Sequence, residues 1–210
     1  MTKAKICGIK TPDALDAAIA GGASHVGFVF FPPSPRHLLP DDAAALAARV
    51  PSHVRKVGVF VDPEDRDLER AVTTGSLDIL QLHATSPARA AHLQRSTGLE
   101  TWAAIAIRTR SDLDGAGSYV GAVDRLLYDA KTPPGSALPG GMGLRFDWTL
   151  LDGFRHPLPW VLSGGLDPAN VAAAIARTGA PLVDVSSGVE SAPGVKDMDK
   201  IGAFLKATQS

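Results

Sequence analysis

Short apolar, β-branched runs return along this chain at a nearly constant interval, and Ala- and Leu-rich segments with helical spacing fill the gaps. Eight such runs read as strands: residues 4–7, 26–30, 56–61, 79–82, 101–107, 125–128, 160–162 and 182–185. Most begin roughly twenty residues or slightly more after the one before, enough for a strand, a crossover helix and two loops. Strands that alternate with helices pair in parallel, because each crossover returns the chain to the same end of the sheet. Eight near-equal units predict an α/β fold in which the sheet closes into a (β/α)8 TIM barrel. An open doubly wound sheet is the alternative. It is disfavoured because no dinucleotide-type GxGxxG follows the first strand.

Helix starts are marked locally. Thr11-Pro12-Asp13, Pro40-Asp41-Asp42, Asp62-Pro63-Glu64, Ser86-Pro87, Asp167-Pro168-Ala169-Asn170 and Asp197 each place a capping side chain, a proline or an acid where a helix would begin. One interval breaks the rhythm. Residues 131–145, KTPPGSALPGGMGLR, are rich in Gly and Pro without periodicity, and read as a functional loop, a candidate lid.

The 210 residues fit one catalytic domain over 1–210, since barrels of this kind take about 250 residues and run down to about 200. A net charge of −1 with no run of Lys or Arg argues against nucleic acid or a membrane surface as partner. The longest apolar stretch, near 26–31, is far too short to span a bilayer, and no apolar signal core follows the first basic residues. A cytoplasmic protein is the expectation, as a monomer or a homodimer. The single cysteine excludes an internal disulfide and any multi-Cys metal site, and the six His have no ligand-like spacing, so no metal is expected.

In such barrels the active site lies on the loops at the C-terminal ends of the strands. That rule selects Cys7, Pro35-Arg36, Asp62, His83, Arg108, Asp129, Ser163-Gly164-Gly165 and Ser186-Ser187-Gly188. The two glycine turns follow strands seven and eight, where many barrels bind phosphate on backbone N–H groups. They read equally as tight strand-to-helix turns. Cys7 by itself reads either as a small buried hydrophobe or as a reactive thiol. Asp129 directly follows Leu126-Leu127-Tyr128 and should face the barrel mouth. Arg36 offers a fork suited to a carboxylate, and also reads as a surface charge. His83 is given no role.

Lys5-Ile6-Cys7-Gly8-Ile9 resembles the opening motif of the phosphoribosylanthranilate isomerases. The resemblance continues in order through Ser34-Pro35-Arg36, Gln81-Leu82-His83, Tyr128-Asp129, Gly140-Gly141-Met142-Gly143 with Phe146-Asp147-Trp148, and Ser163-Gly164-Gly165-Leu166 with Asn170-Val171. It ends on Val183-Asp184-Val185-Ser186-Ser187-Gly188-Val189-Glu190 and Pro193-Gly194-Val195-Lys196-Asp197. It implies a cofactor-free Amadori rearrangement in tryptophan biosynthesis, from N-(5-phosphoribosyl)anthranilate to 1-(2-carboxyphenylamino)-1-deoxyribulose 5-phosphate. Cys7 would be the general base and Asp129 the general acid. Arg36 would hold the anthranilate carboxylate, and Gly164, Gly165, Ser187 and Gly188 the phosphate. Asp184 would line the pocket near the ribose, and Gly141 would belong to the lid. The roles require a raised Asp129 pKa and a depressed Cys7 pKa. Lys5 is left without a part, on the expectation that neighbouring strand residues point to opposite faces.

Three positions depart from the family pattern: Lys10 and Met142 stand where Thr is usual, and Ala84 where Gly is usual. Met142 removes a hydroxyl from the lid motif, which should weaken substrate holding while leaving proton transfer in place. Two rival readings remain at this level. One is the related histidine-pathway isomerase, which uses two Asp and carries a phosphate site in each half. Here strand one ends in Cys, and Val61-Asp62-Pro63 after strand three lacks the Gly-Gly turn. The other is a phosphosugar-binding barrel without turnover.

Overall fold

The structure, a computed structural model, describes residues 2–133, 135–136 and 140–209. Within the 131–145 loop, residues 134 and 137–139 lie outside the described residues. Eight parallel strands close into a barrel in chain order. They are β1 (Lys3–Cys7), β2 (His25–Val29), β3 (Arg55–Val61), β4 (Ile79–His83), β5 (Glu100–Ile107), β6 (Arg125–Ala130), β7 (Trp160–Leu162) and β8 (Leu182–Val185). Each overlaps one of the eight apolar runs. The ring closes where β1 pairs with β8, with Lys5 opposite Asp184 in register.

The period of two along each strand sorts side chains between two cores. On β1, Ala4 and Ile6 face the outer shell of helices, whereas Cys7 joins the barrel interior with Val29, Val57, Val59, Ile79, Trp102, Leu127, Val161 and Leu182. The outer shell carries α1 (Pro12–Ala20), α2 (Pro40–Ala47), α3 (Asp65–Gly75), α4 (Pro87–Thr97), α5 (Val171–Thr178) and α6 (Met198–Ala207). Thr11, Ser86 and Asp197 cap α1, α4 and α6 by accepting from the backbone N–H groups of Ala14, Arg89 and Lys200. Two expected starts lie later than their signals. α3 begins at Asp65, because Asp62 takes a left-handed conformation (φ 39°) that no helix start allows. α5 begins at Val171, and Asp167 instead caps the preceding turn by accepting from the N–H groups of Ala169 and Asn170.

Strict alternation of strand and α-helix fails in two units. After β5 the chain forms a 3-10 helix, Arg110–Tyr119, and after β6 a short one, Trp148–Leu151. The first segment, RSDLDGAGSY, holds two Gly, two Asp and two Ser, all weak α-helix formers. Its start is fixed by a capping box between Thr109 and Asp112. After β8 the chain makes a hairpin, β9 (Glu190–Ala192) and β10 (Val195–Lys196), before α6. Among the described residues no helix is long and apolar enough to cross a membrane.

Candidate active site

The inward positions turn polar toward the C-terminal ends of the strands. Cys7 follows Lys5 on β1, His83 follows Gln81 on β4, Asp129 follows Leu127 on β6, and Ser163 follows Val161 at the end of β7. Together with Arg36, Gly141, Gly164, Gly165, Asp184 and Ser187 they line one cleft of about 810 Å³. Asp62 and Arg108, selected by the strand-end rule, lie elsewhere. Asp62 sits on the outer rim beside Glu64 and Arg66, and Arg108 donates to the Thr132 carbonyl oxygen on an exposed surface.

Asp129 is buried, and its Oδ1 accepts from the Ala130 N–H at 2.8 Å. Burial, assisted by the charge of Asp184, lifts its carboxyl to about 7, against the opposing pull of the Ala130 N–H and Lys5. The thiol of Cys7 departs from expectation. Burial pushes it above the ordinary cysteine value, although the ammonium of Lys5 pulls the other way. The shift is thus opposite to the expected depression.

Lys5 corrects a second expectation. It stands two residues before Cys7, so both point to the same face. Lys5 is fully buried inside the barrel, where its Nζ donates to Asp184 Oδ1 at 2.8 Å. Burial by itself would lower its pKa, but Asp184 and Cys7 outweigh that and raise it, so the ammonium is firmly charged. Gln81 and His83 form a second buried polar pair. Gln81 Nε2 lies 3.0 Å from His83 Nε2, and Gln81 Oε1 is buried with no hydrogen-bond partner among the described residues. Burial and the nearby Lys5 lower the His83 pKa to about 4, so the ring is neutral.

Arg36 is not a free fork. Its Nε and Nη2 donate to Glu190 Oε1 and Oε2 at 2.8 and 2.7 Å, and Nη2 also reaches the Gly141 carbonyl oxygen at 3.0 Å. Glu190 further accepts from Lys196 Nζ at 2.8 Å. Burial would raise the Glu190 pKa, but Arg36 and Lys196 override it and hold the carboxylate ionised. This trio ties the hairpin to the cleft. Glu190 and Lys196 belong to the terminal motifs, but their mutual contact required the hairpin to be seen.

The two glycine turns lie side by side. Gly164 and Gly165 both have positive φ (86° and 63°), and their amides have no internal acceptor among the described residues. Gly188 does not line the cleft. It packs against Leu166, where a β-carbon would overlap the carbonyl oxygen, so its role is to let the two turns approach. Lys196 Nζ holds the second turn from behind through the Ser186 carbonyl oxygen at 2.8 Å. The described part of the long loop forms one wall of the cleft: Leu144 and Arg145 sit against Gly165, and Gly141 against Arg36. Ala84, where the family pattern has Gly, is in the left-handed region (φ 51°), which explains why glycine suits that position.

The family profile described as N-(5'phosphoribosyl)anthranilate (PRA) isomerase matches residues 4–207. An N-(5'-phosphoribosyl)anthranilate isomerase of Zymomonas mobilis subsp. pomaceae is 54% identical over 99% of this chain and 98% of its own. One of Paramagnetospirillum magneticum is 52% identical over 98% and 96%. Among solved structures, a phosphoribosyl anthranilate isomerase of Thermus thermophilus superposes with a TM-score of 0.87 at 28% identity, covering 99% of this chain and 98% of that one. A phosphoribosyl anthranilate isomerase in complex with reduced 1-(o-carboxyphenylamino)-1-deoxyribulose 5-phosphate gives 0.83 at 34% identity, covering 100% and 99%.

Proposed function

Since the chain belongs to the N-(5'-phosphoribosyl)anthranilate isomerase family, we propose that Cys7 and Asp129 are the base and acid of its isomerisation. The enzyme acts in tryptophan biosynthesis. The observation that carries the assignment of roles is that a thiol and a carboxyl with a pKa of about 7 line one cleft beside the open amides of Gly164 and Gly165.

The protonated Asp129 carboxyl donates to the ribose ring oxygen, and the ring opens to a Schiff base between C1 and the anthranilate nitrogen. The Cys7 thiolate then takes the proton from C2. The resulting enolamine gains a proton at C1 and loses one from the C2 hydroxyl, giving the ketone. A carboxyl at about 7 is half protonated near neutrality, which suits an acid that must also be restored by solvent. The amides of Gly164 and Gly165, with Ser187, would hold the phosphate. Gly188 would serve by packing the turns. Arg36 would present its remaining Nη1 to the anthranilate carboxylate, with Glu190 fixing the plane of the fork. Asp184, which lines the cleft, would lie near the ribose, and Gly141 shapes the wall next to Arg36. We place the chain in the cytoplasm as one domain, working as a monomer or a homodimer without a cofactor; a net charge of −1 with no run of Lys or Arg gives it no electrostatic hold on a membrane surface or nucleic acid.

The test is turnover of freshly prepared phosphoribosylanthranilate, followed by its fluorescence, for wild type, Cys7→Ala and Asp129→Asn. Losses of roughly a hundredfold or more in both variants support the pair. A variant with near-wild-type kcat removes that residue from its role.

A further inference from the structure

We propose that Lys5 is a positioning residue for this reaction: its ammonium, aimed by Asp184, stabilises Cys7 as the thiolate. The proposal deepens the reading of Cys7 as base and rests on it. Three observations converge. Lys5 is the partner of Asp184 across the β1–β8 seam, with Nζ–Oδ1 at 2.8 Å and 0% side-chain exposure. Nζ therefore has one fixed partner and two further N–H groups to direct elsewhere. Gly27 reveals where they point. A β-carbon on Gly27 would stand 2.9 Å from Cys7 Sγ and 3.1 Å from Lys5 Nζ, so the sulfur and the ammonium flank the same point within about 6 Å of each other. Glycine on β2 leaves that space open, and no side chain intervenes from that strand.

The charges around the thiol are few. Lys5 from β1 and Lys196 from β10 favour the thiolate, and Asp184 from β8 opposes it. Around Lys5 itself stand Asp184, Asp129, His25 and His83. The two histidines, lowered to about 3 and about 4, carry no charge that would compete with Lys5 for the sulfur. Burial opposes ionisation of Cys7, so a base at this position requires a neighbouring cation, and Lys5 acts on the sulfur more strongly than Lys196. Lys5 keeps its own protons throughout. The thiol proton leaves to solvent, and the ammonium compensates the sulfur charge left behind.

The chain has one cysteine, so thiolate absorbance in the ultraviolet and the rate of alkylation by iodoacetamide both report Cys7 alone. Lys5→Met should move the thiolate titration up by at least about one pH unit, slowing alkylation near neutral pH roughly tenfold. In turnover it should lower kcat by tenfold or more with KM within about threefold, and the deficit relative to wild type should narrow as pH is raised. Asp184→Asn should move the titration the opposite way, downward, since the amide oxygen still accepts from Lys5 Nζ while the opposing charge is removed. Opposite shifts from the two halves of one ion pair would not arise from general loosening of the site. An unmoved titration in folded Lys5→Met overturns the proposal. Should that variant fail to fold, Lys5→Gln, which removes the charge but keeps a hydrogen-bonding side chain, is titrated in its place, and an unmoved titration there overturns the proposal equally. Retained turnover in Cys7→Ala would instead remove Cys7 as the base, whatever Lys5 does to its titration.

Discussion

Gly140 passes so close to Asp129 that a β-carbon on it would overlap the carboxylate atom Oδ2. The acid's orientation is thus set by the backbone of the long loop, and the glycine is required for access to it. We expect Gly140→Ala to rotate or displace the carboxyl and lower kcat by about ten- to a hundredfold, the scale of a misplaced reacting group. The Tm should stay within a few degrees, because the loop lies outside both cores. A Gly140→Ala enzyme with full kcat would show that the carboxyl tolerates displacement.

The pKa of about 7 at Asp129 gives a signed pH dependence. As the acid must carry its proton, kcat/KM should fall as pH rises through about 7, apart from any limb due to the thiol. Stability moves in the same direction. The folded state holds this proton more tightly than the unfolded chain, so the stabilisation is present below about 4 and lost as pH rises to about 7. Asp129→Asn should therefore raise Tm by several degrees at pH 8 and by little near pH 4. Thermal melts at the two pH values test this; equal changes at both would place the pKa elsewhere.

Glu190 carries the charges of two buried cations, Arg36 and Lys196. Glu190→Ala leaves both uncompensated, and should cost about 3–5 kcal/mol of stability, read by denaturant unfolding. Glu190→Gln keeps the volume and should show its effect in KM, which rises as Arg36 loses its orientation. A change in kcat alone would mean that the fork does not contact the substrate.

Met142 lies 49% exposed on the wall of the cleft, a flexible thioether where the family pattern has a hydroxyl. Met142→Thr should lower KM severalfold with kcat nearly constant, because a hydroxyl can donate to the bound substrate and the sulfur cannot. A worse kcat/KM in Met142→Thr would show that the apolar wall is itself the better fit.

The barrel was readable because every strand is buried under the helix shell on one side and inside the barrel on the other, which leaves short, largely apolar runs at regular intervals. Cys7, Asp129 and the glycine turns were readable through their place at strand ends. Departures came where local chemistry was weak or partners were distant. The Gly- and Asp-rich segment after β5 lacks the propensity for an α-helix and winds into 3-10 turns. Lys5 could have been assigned to the interior from its spacing to Cys7 alone, since two residues restore the same face. Its counterion could not, because Asp184 is 179 residues away and only the closing register brings it near. The same holds for Arg36 and Glu190, separated by 154 residues.

The seam between β1 and β8 also sets a schedule for synthesis. The thiol lies on the first strand of the barrel to be made, and the carboxylate that aims its ammonium neighbour lies on the last. Until the eighth strand emerges, Lys5 has no partner inside the barrel and the first strand has an unpaired edge. The growing chain thus carries its base without its activating geometry, and pulse-labelled nascent chains should show ordinary thiol reactivity that changes only upon closure.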